Sequence, residues 1–121
     1  MKNKTAKLKD PLVVSGPDGK GKIEVDLRLI KRASLSLRAL YHPLRKKLLE
    51  LIESKGKVTV TELYGKLKIE QSVASQHLAI LRRAGVVNTQ RDGKKIFYSV
   101  NGKRISEISN LAEDLAQESE L

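Results

Sequence analysis

Residues 70–87 read EQSVASQHLAILRRAGVV and predict one amphipathic helix over about residues 71–84, ended by Gly85. Apolar side chains recur at offsets of three and four residues, which predicts a buried side made of Ala74, Leu78 and Leu81, bordered by Val73, His77 and Ile80. The opposite side carries short polar and amide groups and then two arginines: Gln71, Ser72, Ser75, Gln76, Ala79, Arg82 and Arg83.

The flanking segments give this helix a recognisable context. On the N-terminal side, Thr59 followed by Glu62 three residues later is the pattern of a capping box, and it predicts a short helix through about Leu67. Residues 68–70 then form a tight linker between the two helices. On the C-terminal side, two β-prone runs flank Asp92-Gly93, which predicts a hairpin with its turn at these two residues.

Further outward, the spacing of apolar residues predicts three more helices. The first begins near Leu27 and ends before Pro43, the second begins at Pro43 and ends at Gly56, and the last follows Asn101. A very short strand is expected near Val58. The order helix-helix-strand-helix-helix-hairpin-helix predicts a mainly α protein with a small β-hairpin, that is, a winged helix-turn-helix.

The predicted winged domain spans residues 27–121, and residues 1–26 are interpreted as a flexible basic arm. Within the arm, Leu12-Val13-Val14, a turn-rich segment and the alternating residues 23–27 are compatible with either a short hairpin or a loose extended chain. Both interpretations remain open from the sequence.

The charge and the amino-acid composition of the chain indicate which kinds of partner and site to expect. The formal net charge of the 121-residue chain is +10, and the basic excess extends over residues 1–104, whereas residues 105–121 carry five acidic side chains and no basic one. Such a charge favours a phosphate-rich partner. Cysteine is absent, which excludes disulfides and thiolate metal sites. With no long apolar run and no signal region, we expect a cytoplasmic protein without a membrane partner.

The polar side of the helix in residues 71–84 suits DNA. Glutamine pairs in a bidentate way with adenine, serine pairs with several base edges, and arginines further along reach phosphates. Cations at the hairpin, Arg91, Lys94 and Lys95, would contact the sugar-phosphate backbone as a wing. The plainer interpretations are an ordinary solvated helix face and lysines that protect a strand edge. No constellation of catalytic residues is present, so we do not expect an enzyme.

The sequence also resembles a known family. Residues 70–87, the segment ALYHPLRKKLL at 39–49 and the segment RDGKKIFYS at 91–99 resemble the ArsR/SmtB family of bacterial repressors, over about residues 28–116. The resemblance implies a homodimer held by the first and last helices, and repression by occupation of a near-palindromic operator. The family's base-reading positions fall on Gln71, Ser72, Ser75 and Gln76.

Two further sets of residues complete the predicted site. Contacts to the DNA backbone are assigned to Val60, Thr61, His77, Arg82, Arg83, Arg91, Lys94 and Lys95. The dimer interface is assigned to Leu27, Ile30, Leu37, Ile105, Ile108, Leu111, Ala112 and Leu115, whose apolar side chains need a surface to cover them.

The sequence departs from the family in its effector sites. Many members sense metals through cysteine in the short helix or through histidine on the last helix, and this chain has neither, with only His42 and His77 elsewhere. We therefore expect no metal and no cofactor, and the effector stays open. Two alternatives remain: a winged protein-interaction module, and a nonspecific DNA-binding protein.

Overall fold

The computed structural model describes residues 7–117. The first six residues of the predicted basic arm and the last four residues of the predicted C-terminal segment lie outside the described residues. The chain divides into two compact units, residues 1–34 and 35–121, and each is described by itself.

The first unit contains an antiparallel hairpin. Its strands are β1 (Leu12–Ser15) and β2 (Lys22–Val25), and a single 3-10 turn joins them. Leu12 pairs with Val25 and Val14 pairs with Ile23, so four apolar side chains share one face of the hairpin.

Helices and a small sheet build the second unit. Helix α1 (Leu27–Leu40) begins within the residues of the first unit and ends within those of the second. The second unit then contains, in chain order, α2 (Pro43–Lys55), β3 (Val58–Thr59), α3 (Val60–Leu67), α4 (Gln71–Arg83), β4 (Val87–Asp92), β5 (Lys95–Val100) and α5 (Gly102–Gln117). The sheet is antiparallel with the strand order β3-β5-β4. This is the predicted winged helix-turn-helix order, and the fold class is confirmed.

Caps at the helix starts follow the sequence signals. The Nδ1 atom of His42 accepts a hydrogen bond from the Leu44 N–H (3.1 Å), and Pro43 occupies the first helical position of α2. At α3, the Thr59 hydroxyl accepts from the Glu62 N–H (3.3 Å), and the Glu62 carboxylate accepts from the Thr59 N–H (3.2 Å). The predicted capping box is therefore confirmed.

The core lies where α2, α3 and α4 meet the sheet and α5. Its fully buried large side chains are Leu48, Ile52, Val58, Leu63, Leu78, Leu81 and Val86. The three residues predicted for the buried face of α4 are all in the interior, at 1% exposure or less. This packing fixes the rotation of α4 about its own axis and so decides which of its side chains face outward.

The hairpin turn differs by one residue from the prediction. Asp92 pairs with Lys95 in the ladder, so the two turn residues are Gly93 and Lys94 rather than Asp92 and Gly93. Only Gly93 of these has a positive φ (65°), and glycine at the first central position is typical of a type II′ turn. Lys94 therefore occupies the tip of the wing.

Candidate nucleic-acid interface

The outward side of α4 is polar except for the half-buried Ala79. Gln71, Ser72, Ser75 and Gln76, the predicted base-reading residues, are all exposed, and Arg82 and Arg83 are exposed at the C-terminal end. The first two turns carry no charged side chain, and their one histidine, His77, is half-buried. Short uncharged groups therefore occupy the end of the helix that enters a major groove in helix-turn-helix proteins.

The start of α3 lies beside the wing strand β5. Glu62 has a lowered pKa, chiefly because the Thr59 backbone N–H donates to its carboxylate, with the Thr59 hydroxyl and the charges of Lys55 and Lys95 adding to the effect. Thr59, the N-cap of α3, pairs with Phe97 on β5, two residues from Lys95, so the N-terminus of α3 lies beside this wing strand. Thr61 is exposed at this point and Val60 is half-buried.

The wing carries its cations in the open. Arg91, Lys94 and Lys95 are exposed, and the Arg91 Nε donates to the Gly93 carbonyl oxygen (3.3 Å), which fixes the side chain against the turn. Sequence reasoning missed Lys57, whose Nζ lies 5.0 Å from the centre of the Phe97 ring on β5. The pairing of β3 with β5 brings these residues together across 40 positions, and no local signal could have shown it.

The C-terminal end of α4 is tied to the start of α5. Asn101 Nδ2 donates to the Gly85 carbonyl (2.9 Å), and Arg104 Nε donates to the Ala84 carbonyl (3.1 Å). Gly85 has a φ of +79°, a conformation that other residues rarely adopt. These bonds satisfy carbonyls at the helix end and leave Arg82 and Arg83 directed outward.

The N-terminal half of α4 is held by a residue that the sequence did not single out. Arg45 on α2 is only 8% exposed, and its guanidinium lies 3.1 Å from the Nδ1 atom of His77. Two further bonds reach the carbonyls of Ala39 (2.7 Å) and Arg38 (3.0 Å) in the last turn of α1. His77, which the sequence assigned to the DNA backbone, thus has one ring nitrogen directed into the protein.

The residues assigned to a dimer interface fall into three groups. Leu27 and Ile30 on α1, and Leu111 and Leu115 on α5, are exposed, with Leu115 at 59%. Leu37, Ile105 and Ala112 are half-buried. Ile108 is only 6% exposed and packs into the core of its own chain, so little of it remains for a partner.

Between residues 7 and 117, no group of three or more His, Cys, Asp or Glu side chains is arranged to hold a metal ion. In the same part of the chain, no helix combines the length and the apolar character needed to cross a bilayer.

Comparison with known proteins gives concordant results. The family model described as "Bacterial regulatory protein, arsR family" matches residues 42–89, which include α2, α3 and α4. The biofilm growth-associated repressor of Agrobacterium fabrum is 44% identical over 71 residues, which is 56% of this chain and 60% of that protein. An uncharacterized HTH-type transcriptional regulator of Methanocaldococcus jannaschii is 32% identical over 85 residues, which is 70% of this chain and 96% of that protein.

A solved structure shows the same arrangement. The transcriptional repressor PagR of Bacillus anthracis superposes with a TM-score of 0.56 at 30% identity, covering 70% of this chain and 98% of that one. The similarity therefore extends well beyond the helix pair.

Proposed function

This chain belongs to the arsR family of bacterial regulatory proteins, which bind DNA and regulate transcription, and we propose that it represses transcription as a homodimer on a near-palindromic operator. In this proposal, α4 enters the major groove and reads bases through Gln71, Ser72, Ser75 and Gln76. The wing and the start of α3 contact the backbone.

The outward side of α4 is the observation that carries the proposal. Its first two turns expose serine and glutamine, which pair with base edges. The cations of the proposed DNA-binding surface lie at the end of α4 and on the wing, where they suit phosphates. A nonspecific binder would place cations along the whole helix, because its affinity comes from phosphates. A protein-interaction module would expose large apolar side chains there, whereas the one apolar residue on this face is the small, half-buried Ala79.

The homodimer is supported by uncovered apolar side chains. Within the second unit, exposed leucines lie on both helices: Leu35 (53%) on α1, and Leu111 (46%) and Leu115 (59%) on α5. Exposed apolar side chains of this kind support an interaction surface. A two-fold pairing would present two copies of α4 to half-sites about one DNA turn, roughly 34 Å, apart.

A titration of the protein against two duplexes tests the proposal. One duplex carries the DNA upstream of its own gene and the other a scrambled sequence of the same composition, each at two salt concentrations. We expect a preference of about a thousandfold or more for the upstream DNA that persists at the higher salt. Weak, equal and steeply salt-dependent binding to both would show that charge alone acts. Absence of binding to either would favour the protein-interaction module.

A further inference from the structure

The guanidinium of Arg45 is a buried charge without a carboxylate partner in the described part of the chain. Its three hydrogen bonds go to two carbonyls at the end of α1 and to Nδ1 of His77 on α4. A guanidinium only donates hydrogen bonds, so the Nδ1 atom of His77 accepts, and the proton of the neutral ring is on Nε2. Arg45 thereby links α1, α2 and the recognition helix through one hydrogen-bonded group.

The second histidine of the chain adjoins the first. The ring centroids of His42 and His77 are 4.7 Å apart. Because the Nδ1 atom of His42 accepts from the Leu44 N–H as the N-cap of α2, this ring also carries its proton on Nε2. The sequence contains two histidines, and the structure brings their rings together, with Arg45 bonded to the second of them.

The surroundings of His77 favour its neutral form. Burial is the main cause of the lowered pKa of His77, and the nearby His42 and Arg45 lower it further. The other charged groups on the elements packed against α4 are on the outer faces or already engaged: Lys46, Lys47, Glu50, Glu53 and Lys55 on α2, Glu62 and Lys66 on α3, and Arg91 and Asp92 on β4.

We infer that Arg45 is a positioning residue that couples the end of α1 to the recognition helix through neutral His77, and that acidification breaks this coupling and weakens operator binding. The inference rests on the proposed function, because it is read out through α4 on DNA. A protonated Nδ1 can no longer accept, and it places a positive charge about one hydrogen-bond length from the guanidinium.

The direction of the pH effect follows from these contacts. The folded-state pKa of His77 lies below its ordinary value of about 6.5, so the folded protein disfavours the proton. The coupling is therefore complete above about pH 6.5 and is lost as the pH falls through the folded-state pKa. A histidine whose role is to contact phosphate gives the opposite sign, because its protonation adds a positive charge and tightens binding.

The first test is operator binding over a pH series from 7.5 down to about 4.5 at constant ionic strength. Wild-type protein is compared with His77→Gln, whose amide oxygen still accepts from Arg45 but does not titrate. The control is His42→Asn, which keeps an N-cap acceptor. We expect the affinity of wild type to fall progressively as the pH drops through the folded-state pKa of His77, by up to about tenfold once the ring is protonated, as for one lost hydrogen bond to a charged group, and H77Q to lose less than about twofold over the same series. Unchanged or tighter wild-type binding across the whole series, or an equal loss in H77Q, would overturn the inference.

A second measurement does not depend on the operator or on a variant that folds. Imidazole ¹⁵N chemical shifts of wild-type protein at pH 7.5 report the tautomer of each ring, and we expect the Nε2–H form for both. A proton on Nδ1 of His77 would overturn the coupling even if operator binding were strong. Conversely, the expected tautomers together with equal binding to upstream and scrambled DNA would reject operator specificity and leave the coupling intact.

Discussion

Replacement of Gln76 by alanine separates DNA reading from folding. The Gln76 side chain is exposed on α4, and no hydrogen bond to it is found within residues 7–117. Its removal should therefore change the free energy of unfolding by no more than about 0.5 kcal/mol. If the amide pairs in a bidentate way with one base, its loss costs about 1–3 kcal/mol of binding free energy, which is roughly 5- to 150-fold in affinity.

The assay is fluorescence anisotropy on the operator and on a series of duplexes that each change one base pair. Q76A should lose affinity for the operator and, at one base-pair position, should no longer distinguish the bases. The matched control is Gln117→Ala, the same substitution at an exposed position of α5, and it should leave binding unchanged. An equal loss of affinity for every duplex, or a lowered melting temperature, would refute the base-reading role of Gln76.

Four other predictions address the wing, the cap, the dimer and the core. Lys95→Ala should weaken binding to any duplex and reduce the slope of log K against log salt by about 0.9, and an unchanged slope would remove this lysine from the contacts. Thr59→Ala should lower the free energy of unfolding in urea by about 1 kcal/mol, whereas Thr59→Ser should not. Leu115→Lys should yield a folded monomer in analytical ultracentrifugation, and a dimer would contradict the interface. Ile108→Lys should unfold the chain, because this side chain is buried.

Local signals in the sequence predicted most of the fold. The Thr59–Glu62 box, Pro43 after His42 and Gly85 after α4 act within a few residues, and each occupies the predicted position in the structure. The buried face of α4 followed from helical periodicity, since a helix that packs on a core must bury residues three and four apart.

Contacts between distant segments could not be predicted. Nothing near Arg45 in the sequence shows that its guanidinium is buried, since the bond to His77 spans 32 positions and depends on how α2 and α4 cross. The same holds for Lys57 and Phe97, which strand pairing brings together. Ile108 has the spacing of an interface residue, but the rotation of α5 directs it into its own core. Periodicity identifies an apolar stripe without showing which part of it a partner covers.

Selection from a random duplex library tests the central claim most directly. The purified protein is allowed to choose its ligands, and the enriched sequences are read. The account predicts one motif with two-fold symmetry, in which two half-sites are centred about one helical turn, roughly 10 base pairs, apart. Loss of preference at a symmetric pair of positions in Q76A would connect the motif to α4. Recovery of no motif, or of a single site without symmetry, would contradict the homodimeric operator-binding repressor.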